Sequence, residues 1–183
     1  MKVLFIEWSS IGNIDILEAF SELGHKVIRF KFDGNGELER DEVIERNICS
    51  ICKLHAIQMI FSFNYFPVIA YGAKETGVPY CSWTYDNPYV LLYSYTIVFP
   101  TNYVFLFDQS QYLEFKSKGI DTVYYLPLAT NVDRLTRTIE DKTRIKKYEK
   151  SKWCNKGVVS FVGSLYNKKS QFYDRLKSVS DYS

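Results

Sequence analysis

Histidine is almost missing from this chain, with two residues in 183, and only two of the four cysteines stand close together. Cys49 and Cys52 make one C-x-x-C, no second pair follows, and the pattern argues against a structural zinc site, which needs four cysteine or histidine ligands. No Asp-x-Asp pair occurs for a divalent metal, no G-x-S-x-G for a serine hydrolase, and no G-x-x-x-x-G-K-[ST] for a P-loop. Gly34 and Gly36 stand alone after the second expected strand, without the third glycine of a dinucleotide fingerprint. The apolar run Val3–Ile6 is too short for a secretory signal. Charge is missing from residues 87–107, and Pro100, Thr101 and Asn102 interrupt that stretch. It reads as two buried segments joined by a turn, with an interfacial, membrane-facing surface as the lesser alternative. With no disulfide framework the thiols are expected to be reduced, which points to the cytoplasm.

What is present is an ordinary globular composition, 46% hydrophobic and 24% charged, with an unusually high aromatic share of 17%. That many rings fill a core or line a sugar or base site. The net charge of +2 is too small to imply a nucleic-acid partner, but it is unevenly spread. Residues 1–133 carry net −6, residues 134–157 net +6 and residues 158–183 net +2. An acidic body is followed by a short basic stretch and a tail.

Hydrophobic periodicity predicts strands and helices in strict alternation. Strands are expected at Lys2–Ile6, Val27–Phe32, Ile57–Phe63, Val78–Trp83, Tyr103–Phe107, Val123–Leu126 and Val158–Val162. Helices are expected at Ile14–Leu23 with Asn13 as N-cap, Asp41–Leu54, Pro67–Glu75, Ser110–Lys118, around Asp141–Lys150, and at Lys169–Leu176. Cys49, Cys52 and His55 recur every third residue and are expected on one buried helix face, a redox site being the lesser reading. The alternation predicts an α/β fold, a doubly wound parallel sheet with helices on both faces.

Ligands of such sheets bind beyond the carboxyl ends of the strands, which selects the loops to inspect. Ser9, Ser10, Gly12 and Asn13 follow the first strand, where their backbone N–H groups would cradle an anion at the next helix, or simply form a tight turn and cap. Ser82-Trp83-Thr84-Tyr85-Asp86-Asn87-Pro88 is the densest polar cluster. Trp83 and Tyr85 offer flat faces for a sugar ring, and Asp86 offers a hydroxyl acceptor or a base. Asn64 at the end of the neighbouring strand, and Asn87 and Asn131, complete the candidates.

Two later segments add a resemblance. Tyr125-Leu126-Pro127-Leu128-Ala129-Thr130-Asn131-Val132-Asp133 resembles the turn that closes the N-terminal domain of GT-B glycosyltransferases, and Val159-Ser160-Phe161-Val162-Gly163-Ser164-Leu165 resembles the first strand and glycine turn of their second Rossmann-like domain. Together with YDNPYVLLYS and LFDQSQYLEF, the set is similar to the CgeB-like (spore maturation protein-like) bacterial group of glycosyltransferases, over most of residues 57–176.

The resemblance implies a metal-independent, sugar-nucleotide-dependent glycosyl transfer in a cleft between two Rossmann-like domains, with no cofactor and no metal. The N-terminal domain would hold the acceptor through Ser9, Gly12, Asn13, Asn64, Trp83, Tyr85, Asn87 and Asn131, with Asp86 as the catalytic candidate. Gly163, Ser164 and Lys168 would contact the donor phosphates. The domain plan is then an acceptor-side domain at 1–133, a basic crossing segment at 134–157 and the start of a donor-side domain at 158–183. Only a fraction of a donor domain follows residue 158, so the expectation is a chain unable to transfer sugar by itself, completed by a C-terminal domain or a partner chain. Two alternatives stay open: a non-catalytic binding or interaction module on the same scaffold, and a different doubly wound enzyme.

Overall fold

The computed structural model describes residues 1–33 and 38–140. Six parallel strands form one sheet: β1 (Lys2–Glu7), β2 (Lys26–Lys31), β3 (Met59–Phe63), β4 (Tyr80–Thr84), β5 (Asn102–Leu106) and β6 (Val123–Tyr125). Their order is β2-β1-β3-β4-β5-β6. The helices between them are α1 (Asn13–Glu22), α2 (Glu42–His55), α3 (Pro67–Thr76) and α4 (Gln109–Ser117). This is an α/β, Rossmann-like fold. Val3, Leu4, Phe5 and Ile6 are all fully buried, because both faces of a central parallel strand are covered.

Side-chain alternation sorts the core into two layers. On one face Leu4, Ile6 and Ile60 meet α2 and α3 through Ile48, Cys52, Val68 and Ile69, and Phe115 of α4 joins them. On the other face Val3, Phe5, Phe61 and Phe63 meet Phe20 of α1. The chain runs from β1 outward to β2, then back past β1 to β3. The carboxyl ends of β1 and β3 therefore border the point where the winding reverses, where such sheets open a crevice.

Sequence signals account for most boundaries. Asp41 caps α2, accepting from the N–H groups of Val43 and Ile44. Pro67 opens α3, and Gly77 closes it at φ +69°, a left-handed conformation that suits glycine.

Three expectations are corrected. Gly12, not Asn13, occupies the N-cap of α1, and no side chain caps that helix. Asn13 is the first residue of the helix, one position past the cap, and its Nδ2 donates to the Trp8 carbonyl at 2.6 Å. His55 is exposed while Cys52 is buried, because each three-residue step slips about 60° around a helix of 3.6 residues per turn. The uncharged stretch is only half buried. It forms two 3₁₀ turns, Val90–Tyr93 and Tyr95–Val98, before β5. Leu92, Thr96, Ile97 and Phe99 point inward, whereas Val90 and Tyr95 are 77% and 68% exposed, since a three-residue turn cannot bury every side of an apolar run. After the Leu126–Asn131 loop a further helix, α5, spans Val132–Glu140, with Asp133 in its first turn and Arg137 in its last, charges that suit the helix dipole.

The chain divides into two compact units, Met1–Asn131 and Val132–Ser183; the sheet and helices α1–α4 belong to the first, and α5 to the second. The helix and strand expected at 141–150 and 158–162, the helix at 169–176, and the glycine pair Gly34 and Gly36 lie outside the described residues.

A buried polar web secures the β4–β5 connection. Tyr65 donates from its hydroxyl to Thr96 Oγ1 at 2.7 Å, Thr96 Oγ1 donates to Ser94 at 3.1 Å, and Asn102 Nδ2 donates to the Thr96 carbonyl at 2.8 Å. Helices α2 and α3 approach closely at Gly72, where an added Cβ would stand 2.9 Å from Ile48 Cγ2 and 3.0 Å from Ile48 Cβ. Gly72→Ala is expected to destabilise the protein by about 1–3 kcal/mol through overpacking, despite the helix propensity gained. In urea unfolding, the double variant with Ile48→Ala should cost less than the two single changes added.

Candidate functional site

The carboxyl edge of the sheet is organised around Asn64, which follows β3 with φ +57°. A left-handed residue other than glycine needs local compensation, and asparagine is among the residues that tolerate it. All four polar atoms of Asn64 are paired. Its N–H donates to the Trp83 carbonyl at 3.0 Å, and its carbonyl accepts from Ser62 Oγ at 2.6 Å. Its side-chain Oδ1 accepts from the Tyr85 N–H at 3.1 Å, and its Nδ2 donates to Asp86 Oδ2 at 2.6 Å. Behind it runs a buried relay. The one proton of Ser62 goes to Asn64, so the 2.7 Å contact between Ser62 Oγ and the Tyr80 hydroxyl is donated by Tyr80, whose oxygen in turn accepts from the Phe66 N–H at 3.1 Å. Complete burial pushes the Tyr80 hydroxyl well above its ordinary pKa, which keeps it protonated for this role.

Asn64 thereby fixes the turn after β4. Asp86 is exposed, its carboxylate oriented by the Asn64 amide. Tyr85 packs nearly parallel to Trp8, with centroids 6.3 Å apart, and donates from its hydroxyl to Ser10 Oγ at 3.1 Å. Burial raises the pKa of that hydroxyl, partly offset by the bond to Ser10. Trp8 is anchored by Nε1 donating to the Phe63 carbonyl at 2.6 Å. The loops after β1, β3 and β4 thus meet in one constellation of Trp8, Ser10, Asn64, Tyr85 and Asp86.

Other expected site residues go elsewhere. The loop after β1 spends two N–H groups internally, Ser10 on the Trp8 carbonyl and Gly12 on Ser10 Oγ, which leaves less of an anion cradle than expected. Gly12 serves close packing: a Cβ there would lie 2.6 Å from the Phe63 ring. Trp83 packs in the same layer as Tyr85, stacked near Phe63, but its Nε1 is turned away to donate to the Leu126 carbonyl at 3.4 Å. Asn87 accepts from Gln111 of α4 at 3.4 Å. Asn131 donates to Asp15 and Glu18 of α1 at 3.1 and 2.7 Å. Gly163, Ser164 and Lys168 lie outside the described residues. Cys49 and Cys52 are free thiols, and burial raises both, Cys52 to about 11, so neither is an activated thiolate.

The structure adds a feature that sequence reasoning passed over. A cleft of about 530 Å³ opens at the carboxyl ends of β1 and β2, lined by Glu7, Trp8, Ser9, Phe30, Lys31, Phe32, Asp33 and Ile44. Ser9 is the one expected site residue that lines it. The signal was present in the stretch Phe30–Asp33, which ends the second strand, but only the glycine spacing after it drew attention. Trp8 joins the two features, lining the cleft and stacking with Tyr85.

No family model matches the chain, and no curated protein or solved structure matches it. Among the described residues no group of three or more histidine, cysteine or acidic side chains is arranged to hold a metal ion, and no helix is long and apolar enough to cross a membrane.

Glu7 is paired with Arg29, whose Nε donates to Glu7 Oε2 at 2.8 Å and whose second nitrogen contacts Glu7 Oε1. This hydrogen-bonded guanidinium lowers the Glu7 carboxyl below its ordinary value near 4.5. A lowered folded pKa contributes stability above the unfolded value and loses it as pH falls through the folded value. The Tm difference between wild type and Glu7→Gln is therefore expected to be small and constant at neutral pH, and to shrink as pH drops below about 4.5 in a thermal-melt series.

Proposed function

We propose that the chain is the acceptor-side part of a GT-B-type glycosyltransferase that uses a sugar-nucleotide donor, and that the carboxyl edge of its sheet receives the acceptor. The observation that carries this reading is the exposed Asp86 carboxylate, held at 2.6 Å by the Asn64 amide beside the Trp8–Tyr85 stack. In glycosyl transfer an acceptor hydroxyl bonds to the anomeric carbon as the nucleoside diphosphate leaves, and the hydroxyl proton needs a base. Asp86 has the chemistry for it, with one oxygen fixed by Asn64 and its edge open to solvent. The resemblance of Leu126–Asp133 and Val159–Leu165 to the GT-B crossing supports the same reading, with Gly163, Ser164 and Lys168 toward the donor phosphates. The free thiols Cys49, Cys52 and Cys81 are in keeping with the cytoplasm.

The bonds that tie Asn64, Tyr85 and Ser10 to one another also favour a second reading, a binding module without chemistry, because side chains engaged with each other hold loops in shape. Turnover separates the two. The full gene product, whatever its length, is assayed with a panel of sugar nucleotides and glycan acceptors. Acceptor-dependent release of nucleoside diphosphate is expected, with kcat/KM lowered about 100-fold in Asp86→Asn and donor affinity unchanged. No turnover by the full product would leave the binding module, and an unaffected Asp86→Asn would remove Asp86 from the chemistry.

A further inference from the structure

We propose that the β1–β2 cleft is a saccharide subsite that takes a neutral pyranose or short glycan, forming the recognition arm of the acceptor site. This deepens the acceptor-side reading above and rests on it. The volume of about 530 Å³ lies within the range of small-molecule sites, about 300–1,000 Å³. The lining combines half-buried rings, Trp8 and Phe30, with Glu7, Ser9, Lys31 and Asp33 at the ends of β1 and β2. A sugar ring has the matching character, a flat face of C–H groups to lie on an aromatic ring and hydroxyls that both donate and accept.

Charge narrows the class. Glu7 and Asp33 are anionic and Lys31 cationic, and Arg29 is held by Glu7, so the cleft and its paired guanidinium carry balanced charge. A phosphate needs an excess of cationic or N–H donors, and an ammonium ligand needs an excess of carboxylates; among the described residues the lining supplies neither. Carboxylates accepting from hydroxyl groups, with one lysine and one serine donating, suit a neutral polyol. The position suits an acceptor as well. Trp8 lines the cleft and stacks with Tyr85, the neighbour of Asp86, so a glycan seated in the cleft lies at the same carboxyl edge of the sheet as the Asp86 carboxylate.

The test is a titration of the 183-residue chain by amide NMR and saturation transfer, with methyl pyranosides of glucose, galactose, mannose and N-acetylglucosamine, their β-linked disaccharides, and glucose 6-phosphate. Saturable binding of at least one neutral saccharide is expected, with shifts centred on Glu7–Ser9 and Phe30–Asp33. Glucose 6-phosphate is expected to bind about fivefold more weakly than the methyl glucoside, and Asp33→Asn with Ser9→Ala to weaken binding about fivefold or more, the loss of one or two hydrogen bonds. If that double variant does not fold, Lys31→Ala is read in its place. Shifts confined to Tyr85–Asn87 would overturn the subsite while leaving the acceptor-side reading standing. Tighter binding of the phosphate ester, or no binding by any member of the panel, would also overturn it. Failure of the acceptor-side reading itself is read separately, from sugar-nucleotide turnover.

Discussion

One residue held in a left-handed conformation organises the working edge of this protein. Asn64 turns the chain at the end of β3 at a conformational cost of about 1–2 kcal/mol. Four hydrogen bonds offset that cost, each worth about 1 kcal/mol net. The bonds run in two directions. Through Ser62 and Tyr80 they reach into the core, where the relay is fully buried and therefore expensive to break. Through Oδ1 and Nδ2 they reach out to Tyr85 and Asp86. The same residue thus transmits the rigidity of the sheet to the loop that carries the exposed carboxylate.

Aromatic packing extends this order sideways. Trp8 bonds to the Phe63 carbonyl, meets Phe66 edge-on with centroids 5.7 Å apart and lies against Tyr85, so the loops after β1 and β4 share one wall. Trp8 also lines the cleft that opens between the ends of β1 and β2. Trp8, Tyr85 and Asp86 lie just beyond the strand ends, and hydrogen bonds to Phe63, Ser10 and Asn64 hold them in place. The high aromatic content is thereby divided, with Phe5, Phe20, Phe61 and Phe63 in the core and Trp8, Phe30 and Tyr85 at the edge.

The alternation of elements was legible in the sequence because the signals are local. The run Val3–Ile6, the cap Asp41, the opening Pro67 and the stop Gly77 each act within a few residues. The parallel sheet followed from their order. Asp86 and Asn64 were legible as candidates from their place at strand ends, but their mutual bond was not, since it depends on β3 and β4 being neighbours and on a backbone φ that no spacing reveals. Asn87, Trp83 and Asn131 looked equivalent to them in sequence, yet their side chains face α4, the Leu126 carbonyl and α1. The cleft was missed because its two halves, Glu7–Ser9 and Phe30–Asp33, are joined only by the pairing of β1 with β2. The uncharged stretch misled for a related reason: hydropathy reports composition, while the 3₁₀ turns decide which side chains face out.

The claim that Asn64 assembles the edge is tested most directly by amide hydrogen exchange on Asn64→Gly, which keeps the left-handed turn accessible and removes only the side-chain bonds. The account predicts that the Tyr85 amide exchanges about 10- to 100-fold faster, that protection falls in the loop 8–13 as well, and that Val3–Ile6 keep wild-type protection. A Tyr85 amide that exchanges as slowly as in the wild type would contradict it.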